Sequence, residues 1–332
     1  MKISDLGEFA FIDRVSKGSL HRKDGVIAGI GDDCAVFRVS DHLAILLTAD
    51  MLIEDVHFRR GEIPAELLGR KSLAASISDI AAMGGTPREA FVSIGIPENF
   101  ETEYLDKIYG GLNSIAAEFE INVLGGDTVL SPDRLVMNVA LTGEARETEI
   151  LYRKGAMVGD IVFITGEPGL SSAGLDLLRN NRDFANKELF LAAHFDPVPQ
   201  TKAGRILAST GKAHSLIDIS DGLAADLGHI CGQSGVGAIV EINKIPLAAE
   251  LREYCRQFRL DIENFVLHGG EDYILLGTAP EKHSPDIESS LKSGGCRYFP
   301  IGRITDGASL TLIAGDGGRQ ELKLRGYDHF RK

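Results

Sequence analysis

Short acidic motifs recur along this chain, and each places a carboxylate close to small residues. The motifs are Gly31-Asp32-Asp33, Thr48-Ala49-Asp50, Gly125-Gly126-Asp127, Asp218-Ile219-Ser220-Asp221-Gly222 and Gly269-Gly270-Glu271-Asp272. Most of them end or follow an apolar run, so we expect them in strand-end loops, which can converge in space. Carboxylates gathered there repel one another unless cations lie between them. The pattern therefore predicts a site for several magnesium ions.

Length and charge limit the classes of function that fit. A chain of 332 residues with 44% hydrophobic content is long enough for two cores, so we expect two domains. Acidic residues outnumber basic ones by 48 to 35, which gives a net charge of −13. Such a surface repels nucleic acid and anionic membranes. A phosphate ligand would need metal as a bridge.

The cysteines and the apolar runs indicate a cytoplasmic protein. The four cysteines lie far apart without a CxxC pair, and the first residues form no signal-like apolar stretch. We therefore expect free thiols in a reducing cytoplasm. No apolar run approaches the roughly 20 residues that span a bilayer, so we expect no membrane segment.

Alternating strand and helix patterns in both halves predict an α/β or α+β fold. The N-terminal half is expected to contain strands at 43–48, 121–124 and 134–145 and helices at 64–84 and 100–119. In the C-terminal half we expect strands at 160–165, 215–219, 237–242, 273–278 and 298–304, helices from 171 and over 223–231, and a hairpin near 315–318. The charged passage 144–159 is interpreted as the boundary between domains 1–145 and 146–332.

Asp79 carries the strongest single indication of a bound cation. It lies in the last turns of the predicted helix 64–84, where the helix dipole disfavours a carboxylate by up to about 1 kcal/mol. Its neighbours Ile77, Ile80 and Ala81 are apolar. A nearby cation would compensate for both effects.

Taken singly, the other motifs also have structural interpretations. Asp33 and Asp50 could cap turns, and Asp221 could lie beside a helix N-cap. His57 alone is typical of a partly buried polar residue. The glycine turn 166–169 has neither a GxGxxG fingerprint nor the Gly-Lys-Ser of a nucleoside triphosphate loop, so it is no dinucleotide fingerprint.

In their order along the chain, the segments resemble the thiamine-monophosphate kinase family over nearly the whole length. The N-terminal segments that carry the resemblance are Gly29 to Ala35, Asp50, Val56-His57-Phe58, Lys71 to Gly84 and Gly125-Gly126-Asp127-Thr128. The later segments are Arg153 to Ala156 with Gly159-Asp160, Thr165-Gly166, Ser172 to Leu175, Ile217 to Leu223, Gly269 to Tyr273 and Gly326 to Phe330.

The resemblance implies ATP-dependent phosphorylation of thiamine monophosphate to thiamine diphosphate, by direct in-line transfer with several Mg²⁺ ions. It also implies a cytoplasmic homodimer whose fold resembles aminoimidazole ribonucleotide synthetase, with N-terminal sheets pairing across the dimer and a C-terminal α/β domain completing the substrate site. No covalent nucleophile is expected.

Site residues follow from the same resemblance, position by position. The implied metal ligands are Asp33, Thr48, Asp50, Asp79, Asp127, Asp218 and Asp221. The implied ATP contacts are Gly126, Asp127, Arg153 and Ser220. The implied substrate contacts are His57, Glu271 and Tyr327, where a ring can stack on thiamine and a carboxylate can face its cationic or amino groups.

The chain departs from the family pattern at Ala49, Asp55, Asp196 and Gln200, and at the last two the family usually carries arginines. These positions put local phosphate contacts or packing in question. Two alternatives to the kinase stay open. One is another ATP-using enzyme of the superfamily, such as aminoimidazole ribonucleotide synthetase or a selenide-activating dikinase. The other is a protein that binds a nucleotide or a thiamine phosphate without catalysis.

Overall fold

The computed structural model describes residues 3–324 and 330. The first part of the chain, up to residue 146, alternates helices and strands that build one sheet. Its elements are α1 (Ile3–Leu6), α2 (Glu8–Ser16), β1 (Val26–Ala28), β2 (Ala35–Arg38), β3 (Leu43–Ile53), α3 (Ala65–Ala82), β4 (Thr86–Pro97), α4 (Thr102–Glu118), β5 (Asn122–Ser131) and β6 (Val136–Arg146).

The second part of the chain builds a separate sheet. Its elements are β7 (Asp160–Ile164), α5 (Leu170–Asn180), α6 (Lys187–Phe195), α7 (Thr201–Thr210), β8 (Ser215–Asp218), α8 (Leu223–Ser234), β9 (Gly237–Glu241), α9 (Ala249–Phe258), α10 (Ile262–His268), β10 (Leu275–Pro280), α11 (Ser284–Ser293), β11 (Phe299–Thr305), β12 (Leu310–Ile313) and β13 (Arg319–Glu321).

The N-terminal sheet has the strand order β1-β2-β3-β6-β4-β5. Its pairs are antiparallel except β4 with β5, which run parallel. α3 packs on β3, β6 and β4, and α4 packs against α3. The two helices cross closely because Gly69 and Gly111 have no side chain: a Cβ on either would lie within 2 Å of a backbone oxygen of the other helix. One face of the sheet is thus covered by helices.

The C-terminal sheet has the order β13-β12-β9-β11-β7-β10-β8. Packed on one face is a core that includes Leu227, Ile230 and Leu251 of α8 and α9. On the other face, Leu207 of α7 and Leu291 of α11 pack against Phe163 and Leu216. β7, an interior strand of this sheet, is consequently buried at every residue.

α3 joins the two halves of the molecule. It is buried around most of its circumference and contacts α7 and β8 of the C-terminal half as well as its own sheet. At the crossing with α7, a Cβ on Gly204 would lie 2.1 Å from the carbonyl oxygen of Ala81. Residues near the end of α3 therefore face both halves.

The predicted fold class is confirmed, with mixed sheets and helices in both halves. The predicted helix 64–84 corresponds to α3, and Gly84 behind it has a φ of 70°. The predicted hairpin near 315–318 joins β12 to β13. The division at 145/146 stays a prediction. Among the helices in the described part of the chain, none combines the length and apolar character needed to cross a bilayer.

The expectation of strand-end loops is wrong for Asp50 and Asp127, which lie inside β3 and β5. β3 continues past its apolar run because all of its residues pair with β6, with Asp50 opposite Val139. The sequence reading also missed β4 between the two predicted helices. β4 pairs with β5 in parallel along its length, and no local sequence pattern predicts such a pairing.

Candidate active site

Carboxylates from four separate segments converge beside the C-terminal end of α3. Asp33 precedes β2, Asp50 belongs to β3, Asp79 to α3 and Asp218 ends β8. Carboxylate oxygens of Asp33, Asp79 and Asp218 all lie within 4.8 Å of one another. Asp50 is close enough to act electrostatically on Asp33, Asp79 and Asp218. The cluster therefore draws on both halves of the molecule.

The alternation of β3 explains why Thr48 and Asp50 reach this cluster. Side chains along a strand point to opposite faces in turn. Ala44, Leu46, Thr48 and Leu52 are buried on the α3 side, and Asp50 falls on the same side by the two-residue period. Ala49 points to the opposite face, so the departure at Ala49 leaves the inward-facing side chains unchanged.

A hydroxyl group orients each of three carboxylates in the cluster. Thr48 Oγ1 donates to Asp79 Oδ2, Ser76 Oγ donates to Asp50 Oδ2 at 2.7 Å, and Ser78 Oγ donates to Asp218 Oδ2 at 2.5 Å. The bond of Ser78 crosses from one half of the chain to the other. Ser76 and Ser78 were missed by the sequence analysis, although two serines in a buried helical segment are a usable signal.

Arg153 supplies positive charge at the edge of the cluster. Its guanidinium donates twice to Asp33 Oδ1, with Nε at 3.0 Å, and its backbone N–H points to the carboxylate of Asp32 at 3.2 Å. Asp33 Oδ2 is buried and receives no hydrogen bond from the described residues. That oxygen is available to a ligand.

Burial and mutual repulsion raise the pKa of these carboxyl groups. Burial is the largest cause for Asp33, Asp50 and Asp79, and neighbouring carboxylates add to it at Asp50 and Asp79. The pKa of Asp218 rises to about 7 through burial and the charge of Asp33, despite the opposing effect of Arg153. The protein itself thus leaves much of this negative charge uncompensated.

The donor set fits magnesium. The cluster offers carboxylate and hydroxyl oxygens, which hard divalent cations prefer, and Asp33 Oδ2 is an orphaned buried acceptor that a cation would satisfy. Cations would also remove the repulsion that raises the pKa values.

Asp221 belongs to a second group, with Asp226 and His229, whose ligand atoms also lie within 4.8 Å of one another. Asp226 Oδ2 accepts the backbone N–H groups of Asp221 and Gly222 at 3.2 and 3.0 Å, which fixes the loop before α8. The sequence analysis missed Asp226 and His229 because it ended the acidic motif at Gly222, whereas these two residues lie further along, in α8. Asp221 is thus a member of a different group from Asp33, Asp79 and Asp218.

Gly126 and Asp127 lie on the exposed edge strand β5. Gly126 has a φ of 150°, and a Cβ there would lie 1.7 Å from the carbonyl oxygen of Val92, so glycine is required. Asp127 is exposed, and its Oδ1 accepts the backbone N–H of Thr128 at 2.9 Å. Its expected contact with metal and ATP stays a prediction.

Glu271 lies beside a cleft between the two halves, and its contacts come from both. Lys71 of α3 donates to Glu271 Oε2 at 3.0 Å, and His194 Nδ1 of α6 lies 3.3 Å from the same oxygen. The backbone N–H of Glu271 donates to the carbonyl oxygen of Ser220 at 2.8 Å. The expected nucleotide and substrate positions are thus adjacent here.

His57 lines the same cleft, together with Lys71 and His194. Its Nδ1 accepts the backbone N–H of Ile53 at 3.0 Å, which orients the ring. Lys71 and His194 were not among the expected site residues, because only the fold brings them to Glu271. Tyr327, the third expected substrate contact, lies outside the described residues.

Asp272 is structural, unlike its neighbour Glu271. Its carboxylate accepts the backbone N–H groups of Gly169 and Ser171 at 2.7 and 3.2 Å, at the start of α5. The Gly-Gly-Glu-Asp motif therefore contains one residue whose carboxylate contacts the cleft-lining Lys71 and His194, and one that holds the glycine turn at 166–169.

The departures from the family pattern have local explanations. Asp55 has a φ of 65°, a conformation that aspartate tolerates better than most residues, and it pairs with Arg134 at 2.6 Å. Asp196 Oδ1 accepts from Arg70 Nε at 2.6 Å, and Gln200 Oε1 accepts from Thr165 Oγ1 at 2.6 Å. Asp196 and Gln200 thus have packing partners within the protein.

Comparison with known proteins identifies relatives along the full length. Residues 31–145 match the family described as AIR synthase related protein, N-terminal domain, and residues 157–315 match the corresponding C-terminal domain. Thiamine-monophosphate kinase from Bacillus subtilis is 32% identical over 98% of this chain and 100% of the relative. The enzyme of that name from Aquifex aeolicus is 34% identical over 99% of this chain and 100% of the relative.

A solved structure shows the same fold. The structure described as AaThiL complexed with AMPPCP and TMP superposes with a TM-score of 0.87 and 32% identity, covering 99% of each chain.

Proposed function

The chain belongs to the thiamine-monophosphate kinase family of AIR synthase related proteins and is a phosphotransferase, and we propose that it transfers a phosphoryl group from ATP to thiamine monophosphate by in-line, magnesium-dependent chemistry. The products are ADP and thiamine diphosphate. The observation that carries this mechanism is the cluster of buried carboxylates, drawn from both halves, whose charge the protein leaves uncompensated.

Magnesium ions held in the cluster would screen the repulsion between two phosphate-bearing substrates and stabilise charge on the transferring group. The proposed metal-binding residues are Asp33, Thr48, Asp50, Asp79, Asp127, Asp218 and Asp221. Ser76 and Ser78 fix the orientation of two of these carboxylates through their hydroxyl groups. Their orientation matters because a metal-binding side chain that is not held in place binds the metal more weakly.

The proposed ATP contacts are Gly126, Asp127, Arg153 and Ser220. Arg153 can approach phosphate oxygens with a group that stays cationic: burial opposes its charge, but Asp33 raises the pKa above the ordinary arginine value. His57, Glu271 and Tyr327 are the proposed contacts of the acceptor. The acceptor phosphate is already ionised near neutral pH, so no strong base and no covalent intermediate are assigned.

The test is product formation by the purified full chain with ATP, Mg²⁺ and thiamine monophosphate. We expect equal amounts of ADP and thiamine diphosphate, and no product without Mg²⁺ or with unphosphorylated thiamine as the acceptor. ADP formation that ignores thiamine monophosphate would favour a sister enzyme. A folded protein that binds ATP and releases no ADP would favour the non-catalytic alternative.

We further propose a homodimer formed through the face of the N-terminal sheet opposite α3. Leu47 and Met51 of β3 and Phe91 of β4, two strands that both pair with β6, are apolar residues exposed by 38, 50 and 42%. An apolar sheet face of this kind favours association. Sedimentation of the wild type should give a dimer, and Met51→Glu with Phe91→Glu should give a monomer. A monomeric wild type would contradict the proposal.

The cytoplasm is the proposed location. Cys34, Cys231, Cys255 and Cys296 are free thiols, and the first three are buried. This agrees with a reducing compartment.

A further inference from the structure

We propose that Lys71 acts as a positioning residue for Glu271, so that this carboxylate recognises the amino group of the acceptor's aminopyrimidine. On this proposal the cleft does not select the acceptor by the positive charge of its thiazolium. The inference rests on the proposed function, because it takes thiamine monophosphate as the acceptor. It states which chemical group of that acceptor is recognised in the cleft.

Lys71 is placed as a fixed partner and not as a surface charge. Its side chain is 2% exposed, on a helix that is buried along most of its length. A buried ammonium is costly unless it is paired. Its Nζ lies 3.0 Å from Glu271 Oε2, so the two groups neutralise each other.

Glu271 has little freedom to leave this position. Its φ of 61° is unusual for a residue with a side chain, and its backbone N–H is bonded to the carbonyl oxygen of Ser220. A Cβ on the preceding Gly270 would lie 2.4 Å from that same oxygen, which shows how closely the loop follows residue 220. A constrained backbone therefore holds the carboxylate beside the cleft, against the lining residues Lys71 and His194.

Both side-chain contacts of the carboxylate fall on one oxygen. Lys71 and His194 approach Oε2, and His194 Nδ1 lies also 3.1 Å from Ser171 Oγ. Oε1 receives no hydrogen bond from the described residues. Oε1 is thus the oxygen that can accept a hydrogen bond from a ligand.

Electrostatics favour an ionised Glu271 and a neutral His194. Burial pushes the pKa of Glu271 up, but Lys71 and His194 push it further down, and the net result is a pKa below the ordinary value. Burial and Lys71 lower the pKa of His194 to about 4. Near neutral pH the set therefore contains one positive and one negative charge.

The carboxylates that line the cleft are paired as well. Asp55 pairs with Arg134 at 2.6 Å, and Glu62 pairs with Arg59 at 3.0 Å. Arg179 adds a positive charge to the lining. In the described part of the cleft no excess negative charge remains to attract a cation, so a directional hydrogen bond is the better means of recognition.

Two acceptor analogues separate the alternatives in the wild type. Oxythiamine monophosphate carries an oxo group in place of the amino group, and deazathiamine monophosphate has a neutral ring in place of the thiazolium. We expect kcat/KM for the oxo analogue to fall about 10- to 100-fold below that for thiamine monophosphate, since a bond to an ionised acceptor is lost. The neutral-ring analogue should stay within about fivefold of thiamine monophosphate, because screened charge contributes little.

The variant test uses Lys71→Met, with Lys71→Arg as the conservative variant and Lys107→Met as an exposed control on α4. In Lys71→Met the preference for thiamine monophosphate over the oxo analogue should shrink to about threefold or less, with KM for ATP unchanged. Lys71→Arg should keep most of the preference. Lys107→Met should behave as the wild type.

The outcomes are distinct from those of the proposed function. If the wild type phosphorylates thiamine monophosphate but uses the oxo analogue equally well, or loses activity mainly on the neutral-ring analogue, the inference is wrong and the kinase assignment stands. Should Lys71→Met fail to fold, the two analogues on the wild type and on Lys71→Arg still decide the matter. No activity on thiamine monophosphate itself would overturn the kinase assignment.

Discussion

Near the end of α3, Asp79 lies among carboxylates whose pKa is raised, whereas two turns earlier Lys71 pairs with Glu271, whose pKa is lowered. Both regions are buried and both join the two halves of the molecule. At the acidic end of α3, which is the carboxylate cluster around Asp79, hydroxyl groups orient the carboxylates but do not neutralise them. At the cleft end, the protein supplies its own counter-charge.

The difference separates two kinds of binding. Under the proposed mechanism, the acidic end would need cations from solution before it could hold two phosphate-bearing substrates, so the metal dependence would arise there. The cleft end has its own counter-charge, and under the proposed function it would recognise the acceptor through hydrogen bonds without metal. Neutralising a carboxylate should consequently have opposite effects on stability at the two ends.

The largest expected effect is that of Asp79→Asn. This change removes charge from the proposed metal site, so we expect kcat to fall about 1,000-fold or more. The metal-free protein should melt at a higher temperature than the wild type, since repulsion is relieved. The matched control is Asp106→Asn on the exposed side of α4, which should leave both quantities unchanged. Normal turnover by a folded Asp79→Asn protein would exclude Asp79 as a ligand.

Ser78→Ala should act through metal affinity. Without the hydroxyl, Asp218 loses its 2.5 Å hydrogen bond across the two halves, and we expect the Mg²⁺ concentration for half-maximal activity to rise about 10-fold. Binding of Mn²⁺, followed by electron paramagnetic resonance, should weaken in parallel. Ser72→Ala is the control because, among the residues that the structure describes, its hydroxyl bonds only the carbonyl oxygen of Gly69 in its own helix, at 2.8 Å. Equal Mn²⁺ affinity in the two variants would deny Ser78 this role.

Glu271→Gln should destabilise the protein, in contrast to Asp79→Asn. The change leaves the Lys71 ammonium buried without a counter-charge, which costs about 3 kcal/mol in comparable pairs. Urea unfolding of the metal-free protein measures the loss. A second change, Lys71→Met, should recover part of it. An unchanged or increased free energy of unfolding for Glu271→Gln would remove the contrast between the two ends.

The smallest expected effect is the pH dependence of stability without metal. The pKa of Asp218 is about 7 in the folded protein and 3.8 ordinarily, so the unfolded chain loses that proton first. The contribution of Asp218 to the free energy of unfolding is thus fully present below about pH 4, and it is lost as pH rises through 7. Glu271 has the opposite sign but acts mainly below its ordinary value of 4.5. The melting temperature in EDTA should fall between pH 5.5 and 8, and Mg²⁺ should restore it at pH 8. A flat profile would contradict the uncompensated charge.

The sequence predicted what local patterns encode. Three features of α3 could be recognised in the sequence: the helical period of its apolar residues, the glycines that follow its end, and the apolar neighbours of Asp79. Together they predicted the helix that carries the acidic end. The pairing of Ser78 with Asp218 and of Lys71 with Glu271 was not, because 140 and 200 residues separate these partners. Asp50 was misplaced into a loop for the same reason: the pairing of β3 with β6 is a long-range property.

The most direct test of the account counts Mn²⁺ ions bound to the wild type and to Asp79→Asn, by electron paramagnetic resonance with a non-hydrolysable ATP analogue present. We predict more than one ion per wild-type chain and at least one fewer in the variant, with equal nucleotide binding shown by calorimetry at saturating Mn²⁺. The same number of ions in both proteins would contradict the claim that the buried carboxylates beside α3 form the metal site.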